Sequence, residues 1–200
     1  MSMLVFSLIV VAVFNFTFDP GSEQMQKTAP AILWVAILFA GNLGLSRSLS
    51  REYENGRMQG LLLCPMDRSS IFVAKVIGNI FYMGIMQMVT VPVMIVLFGV
   101  TIGSFAGLLV LILFLGTLGF AAVGTLFSTI SANTKSREIM LPILMFPVVV
   151  PIILAATKST AGLMNGDPAG HIWAWMKILI AFDIIFTVAC YLLYEHVLEE

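Results

Sequence analysis

The sequence predicts an all-α polytopic membrane protein with six transmembrane helices. Composition is the first observation behind this. Of 200 residues, 60% are hydrophobic and only 10% charged, where an ordinary soluble domain carries about 25% charged residues. Mean hydropathy is +1.02. The second is spacing: apolar runs of spanning length recur between polar or turn-forming breaks. The third is the distribution of charge, since five of the ten Lys and Arg residues (Arg47, Arg51, Arg57, Arg68 and Lys75) fall in one polar interruption.

In chain order, span 1 is Leu4–Phe18. It lacks the basic flank and small-residue cleavage site of a signal peptide and runs into Asp19-Pro20, so it reads as a short span. A polar loop, Asp19–Thr28, carries the turn signal Pro20-Gly21. Span 2 is Ala29–Leu45, with Pro30 expected in its first turn, where proline is tolerated. The polar segment 47–70 follows. Span 3 is Ile71–Val100, with a kink expected at Pro92. A short Thr101-Ile102-Gly103 link leads to span 4, Ser104–Ile130. The loop Ser131–Arg137 precedes span 5, Ile139–Ala156, and span 6 is Ile172–Tyr194.

Charge sets the sidedness. If the polar stretch Arg47–Lys75, which reaches into the start of span 3, and the loop Ser131–Arg137 share a side, that side holds Arg47, Arg51, Arg57, Arg68, Lys75, Lys135 and Arg137. The other side has Lys27 and Lys158, with Lys177 just inside span 6. The positive-inside rule makes the first side cytoplasmic, and both chain termini with it. In span 4, Gly103 and Gly107 form a GxxxG pair, with Gly116, Gly119 and Gly124 further along, as expected for close helix packing. Span 5 is expected to bend at Pro142, Pro147 and Pro151.

The net charge of −1 excludes a basic nucleic-acid binder. No P-loop, Ser/His/Asp set or metal-ligand spacing is present, so the chain is not expected to be an enzyme, and energy must come from elsewhere. Cys64 and Cys190 lie far apart and read as small apolar fillers. Asp183 stands well inside span 6, where an acid is costly and faces the bundle interior with a partner; Asn79, Gln87 and Thr90 of span 3 are the candidates. His171, Trp173 and Trp175 admit two readings: haem ligation beside aromatic rings, or an interfacial aromatic belt with an adjacent His.

Within the polar segment, Arg47–Glu54 extends span 2 into water and Asn55-Gly56 breaks it. Met58, Leu61 and Leu62 then recur at i, i+3 and i+4, one apolar stripe on a short helix ended by Pro65. Asp67 caps the next start through Ser69-Ser70. Such a helix lies on lipid head groups or docks in a partner's groove.

The order Arg51-Glu-Tyr-Glu-Asn-Gly56, Leu61-Leu-Leu-Cys-Pro65 and Ala74-Lys75 resembles the signature loop of ABC-2-type permeases. The stretches Thr28–Ala40, Leu115–Thr157 and Phe182–Glu200 are similar to the CcmB family, the haem exporter protein B permeases of cytochrome c maturation, across nearly the whole chain. That resemblance implies an ABC-2 permease fold in the bacterial inner membrane. It implies a homodimer paired with a CcmA-type ATPase that binds the ATP, alongside CcmC, CcmD and the haem chaperone CcmE. The function it implies is coupling of ATP hydrolysis to haem export or release of haem-loaded chaperone, with no cofactor held by this chain itself. It further implies that Arg51, Glu52, Glu54, Gly56, Met58, Leu61, Leu62 and Pro65 form the ATPase-coupling segment. Alternatives are export of another lipid-like cargo, or a membrane assembly scaffold without an ATPase. The family places a basic amphipathic helix before span 1, whereas this sequence starts almost at the span, which suggests a late start.

Overall fold

A computed structural model describes residues 2–18, 22–54, 67–100, 106–132 and 137–197. Among these the chain forms six helices: α1 (Ser2–Thr17), α2 (Glu23–Glu54), α3 (Arg68–Phe98), α4 (Ala106–Ala132), α5 (Arg137–Asn165) and α6 (Ala169–Val197). The last five are long and apolar enough to cross a membrane. With 16 residues, α1 reaches about 24 Å at 1.5 Å per residue, short of a core of roughly 30 Å.

Successive helices run in alternating directions. Ser7 and Thr90 share a hydroxyl–hydroxyl hydrogen bond of 2.8 Å, and Asn15 Nδ2 donates to the Leu97 carbonyl at 2.9 Å, so α1 and α3 run parallel. Met3 packs on Gly44 of α2, and Phe72 at the start of α3 packs on Tyr194 near the end of α6. Both ends of the described chain therefore lie at the same end of the bundle as the α2–α3 connection. We call this the proximal end.

The helices outrun the predicted spans where polar residues find main-chain or side-chain partners. Ser22 opens α2: its hydroxyl accepts the Met25 N–H at 3.2 Å and its carbonyl accepts the Gln26 N–H at 3.1 Å. An exposed Glu23–Lys27 pair of 2.7 Å follows in the first turn. Pro30 consequently sits inside α2 rather than in its first turn, which corrects the sequence expectation. The loop Asp19–Thr28 shrinks by the same amount. At the far end α2 stays helical to Glu54, as the charged extension predicted.

Helix α3 starts after Asp67, but through its main chain: the Ser70 N–H donates to the Asp67 carbonyl at 2.9 Å and the Asp67 side chain makes no capping bond. Its other end is Gly99 at φ 62°, a left-handed position that glycine adopts without steric cost. Pro92 lies within α3, and Pro142, Pro147 and Pro151 all lie within the unbroken α5. That helix runs nine residues past its predicted end because Ser159 and Thr160 are fully buried. It stops at Gly166, φ 71°, with the Asp167 N–H returning to the Gly162 carbonyl at 2.8 Å. Ser131 and Ala132 belong to α4 and Arg137 to α5, so the predicted loop contracts from both sides.

Helix α4 is the centre of the bundle, and its glycines decide what packs there. A Cβ at Gly116 would strike the Trp34 indole of α2; one at Gly124 would strike Leu45 of α2. At Gly119 it would strike the Asp183 carboxyl of α6 and, at 2.9 Å, Ile152 of α5. The expected Gly103/Gly107 pair is not the packing motif: Gly107 faces open space, and Gly103 lies outside the described residues. Small residues matter here because lipid is as apolar as the side chains and supplies no hydrophobic drive between helices, leaving close van der Waals contact.

Gly116→Ala is therefore expected to lower the thermal midpoint of the detergent-purified protein, since overpacking a fixed site costs about 1–3 kcal/mol. Pairing it with Trp34→Ala should remove most of that added loss. Strict additivity of the two changes would contradict the notch.

Candidate functional site

Polar groups inside the bundle follow one chemical pattern. Thr117, Thr125 and Thr160 are each almost fully buried, and each hydroxyl donates to the carbonyl four residues back, at 2.7, 2.6 and 2.7 Å. A hydroxyl has two lone pairs, so each oxygen still accepts a bond from a neighbouring helix. Gln87 Nε2 donates to Thr117 at 2.7 Å, Asn79 Nδ2 to Thr125 at 2.9 Å and Trp34 Nε1 to Thr160 at 3.0 Å. Asn79 and Gln87 are eight residues apart, as are Thr117 and Thr125, which fixes the antiparallel register of α3 on α4.

Asp183 stands outside this pattern. It is 3% exposed, neither carboxyl oxygen has a hydrogen-bond partner, and it lies against Gly119 of α4. The sequence expectation that Asn79, Gln87 or Thr90 would partner it is corrected: their bonds go to Thr125, Thr117 and Ser7 respectively. Asp183 and Asn79 therefore do not form one polar site; Thr125 lies six residues, about 9 Å, along α4 from Gly119. One turn beyond Asp183, the Thr187 hydroxyl is also buried without a partner.

His171, Trp173 and Trp175 open α6 at the distal end, but they do not converge. His171 Nδ1 lies 3.3 Å from Asp167 Oδ2 on an exposed surface. Trp173, 48% exposed, stands about 200° around the helix from it, while Trp175 packs against the core. Cys190 is buried, as a small apolar filler should be; Cys64 lies outside the described residues.

At the proximal end, helix α2 carries Arg51, Glu52 and Glu54 beyond its apolar stretch, which ends at Ser48. Gly56, Met58, Leu61, Leu62 and Pro65 fall outside the described residues, so the apolar stripe has no structural description here. Five residues into α3, Phe72 is 1% exposed and packs at 5.1 Å between ring centroids, tilted by 48°, on Tyr194, which is fully buried, with Tyr191 edge-on at 6.5 Å. Sequence reasoning missed this cluster because Phe72 and Tyr194 are far apart in the chain and each reads as one more apolar span residue. The Trp34–Gly116–Thr160 contact was missed for the same reason.

Thr125→Val leaves the Asn79 amide without its partner. It should lower stability by about 0.6 kcal/mol and by no more than about 1.7 kcal/mol, the range for interhelical hydrogen bonds in membranes. Asp183→Asn, which breaks no ion pair or hydrogen bond, should leave the thermal midpoint unchanged. A large loss there would reveal a cationic partner.

Comparison with known proteins accounts for this architecture. The family model described as CcmB protein matches residues 1–196. Among similar proteins, "Heme exporter protein B" of Pseudomonas aeruginosa is 26% identical over 184 residues, covering 92% of this chain and 82% of its own. The Rhodobacter capsulatus protein of the same name is 28% identical over 151 residues, 76% of this chain and 69% of its own. The Bradyrhizobium diazoefficiens protein is 22% identical over 185 residues, again 92% and 82%. A match running from α1 to the end of α6, on a bundle of apolar helices, means that this multi-pass membrane protein belongs to the CcmB family.

Proposed function

We propose that this chain is the permease subunit of an ABC-type transporter in the bacterial inner membrane that serves c-type cytochrome biogenesis. The observation that carries the reading is the family match along the whole bundle, with relatives named for haem export. In this reading the chain holds no active site. A separate CcmA-type ATPase hydrolyses ATP, two copies of this chain pair within the complex, and CcmC-, CcmD- and CcmE-type proteins complete it. The energy is spent on haem export or on release of a haem-loaded chaperone.

The geometry supports the placing of the ATPase. The α2 extension and the start of α3 lie at the same end of the bundle as both ends of the described chain. The positive-inside count supports a cytoplasmic location for that end. A helical rod carrying Arg51, Glu52 and Glu54 past the apolar region gives a partner both charge and leverage. The stripe Met58, Leu61 and Leu62 then supplies the apolar face for a groove.

Purified from native membranes, the protein is expected to bring down an ATP-binding subunit. Met58→Asp or Leu62→Asp should preserve membrane insertion while separating ATP hydrolysis from cytochrome c maturation, read as haem-stained cytochrome c per milligram of membrane. Normal maturation in both variants would sink the coupling role of the segment.

A further inference from the structure

Buried polar side chains of this bundle are matched between helices: Gln87, Asn79 and Trp34 each donate to a threonine, and Ser7 bonds to Thr90. Asp183 has no such bond. It stands fourteen residues, about 21 Å, from each end of α6, at the depth where a charge is hardest to solvate. Both carboxyl oxygens are buried without a hydrogen bond, and so is the Thr187 hydroxyl, one turn nearer the proximal end on the same face. Helix α4 nevertheless leaves room for the carboxyl, since a Cβ at Gly119 would strike it.

No neighbouring charge would hold a carboxylate there. Helix α4 contains no Asp, Glu, Lys, Arg or His. On α5, which meets α4 beside Gly119 through Ile152, Arg137 and Glu138 lie at least fourteen residues, about 21 Å, from Ile152. Lys158 lies six residues, about 9 Å, to the other side and is exposed. On α6 itself, Lys177 is exposed, six residues before Asp183 and about 120° around the helix, with His171 farther off. Tyr191, Tyr194, Glu195 and His196 lie toward the proximal end. On α3, Arg68 and Lys75 flank Phe72, which packs on Tyr194, and Tyr82 is exposed. None of these groups hydrogen-bonds to Asp183. A carboxylate with neither counter-charge nor donor is far less favourable in hydrocarbon than the neutral acid.

We infer that Asp183 is a proton-binding site in the middle of the membrane, carrying its proton while it is seated on Gly119 and giving it up during the transport cycle. An acid kept for packing alone would be bonded like the amides around it, or be an apolar residue of similar size. Here the group adds no hydrogen bond to the seam it occupies, and a buried, unmatched ionisable group inside a membrane marks function. That the carboxyl holds a proton stands without the transporter reading above; that the proton must leave rests on it.

The test uses N,N′-dicyclohexylcarbodiimide, an apolar reagent that enters membranes and reacts with protonated carboxyls. The acid O–H adds across one C=N bond, its proton going to nitrogen and its oxygen to the central carbon, so no group leaves. Vesicles holding the whole complex are treated at neutral pH, and the chain is then purified for intact mass. The parent should gain an adduct that Asp183→Asn lacks and Asp183→Glu regains, and excess sodium chloride should not protect. Asp183→Asn keeps a neutral group of the same shape, so it should insert normally yet lose cytochrome c maturation, which Asp183→Glu partly restores. Asp183→Leu is the second uncharged variant should Asp183→Asn fail to insert. An unlabelled parent, or equal labelling in parent and Asp183→Asn, overturns the proton site. Protection by sodium overturns it too, assigning the oxygens to a cation. Normal maturation in the uncharged variant overturns the release of the proton. Normal maturation in a strain lacking the gene would instead overturn the transporter reading and leave the labelling result standing.

Discussion

Everything in this bundle depends on how closely other helices approach α4. Within lipid, apolar surface gains nothing by leaving its surroundings, so helices stay together through contact distance and a few hydrogen bonds. Gly116, Gly119 and Gly124 provide the contact: Trp34 and Leu45 of α2, Asp183 of α6 and Ile152 of α5 occupy the space that three side chains would have filled. Threonines on the same helix provide the bonds, each turning its proton to its own backbone and its lone pair to a neighbour. The central helix is thus apolar to lipid, small toward α2, α5 and α6, and hydrogen-bonded toward α3.

Among the described residues, the order and approximate position of the helices were legible from hydropathy, because twenty-odd apolar residues in a row have few other uses; of the six expected spans, five are long enough to cross a membrane and α1 is not. Boundaries were not, and the errors share a cause. Glu23 through Thr28 and Lys158 through Gly162 look like loop by composition. They are helical because a serine cap, an ion pair and the Trp34–Thr160 bond supply partners that a hydropathy window does not register. The packing glycines were visible as glycines, yet Gly103/Gly107 matched the better-known spacing while the notches that matter sit at 116, 119 and 124. Which glycine meets a neighbour depends on helix rotation, and that is a property of the assembled bundle.

The candidate sites divide in the same way. That Asp183 is buried could be read from its place in span 6; that it rests on a glycine instead of a span 3 amide could not, since three amide and hydroxyl groups of α3 were already committed elsewhere. The pairing of Phe72 with Tyr194 joins residues more than a hundred positions apart. The charged extension of α2 was the reverse case, a local signal of alternating charge that the helix follows to Glu54.

These features make α4, notched for α2, α5 and α6 and hydrogen-bonded to α3, the frame on which the bundle is built. The claim beneath them is that the chain serves cytochrome c assembly as a transporter subunit, and a deletion strain tests it most directly. Covalently haem-bound c-type cytochromes should vanish from membranes and periplasm of that strain and return when the intact gene is supplied. Unchanged c-type cytochromes in the deletion strain would contradict the account.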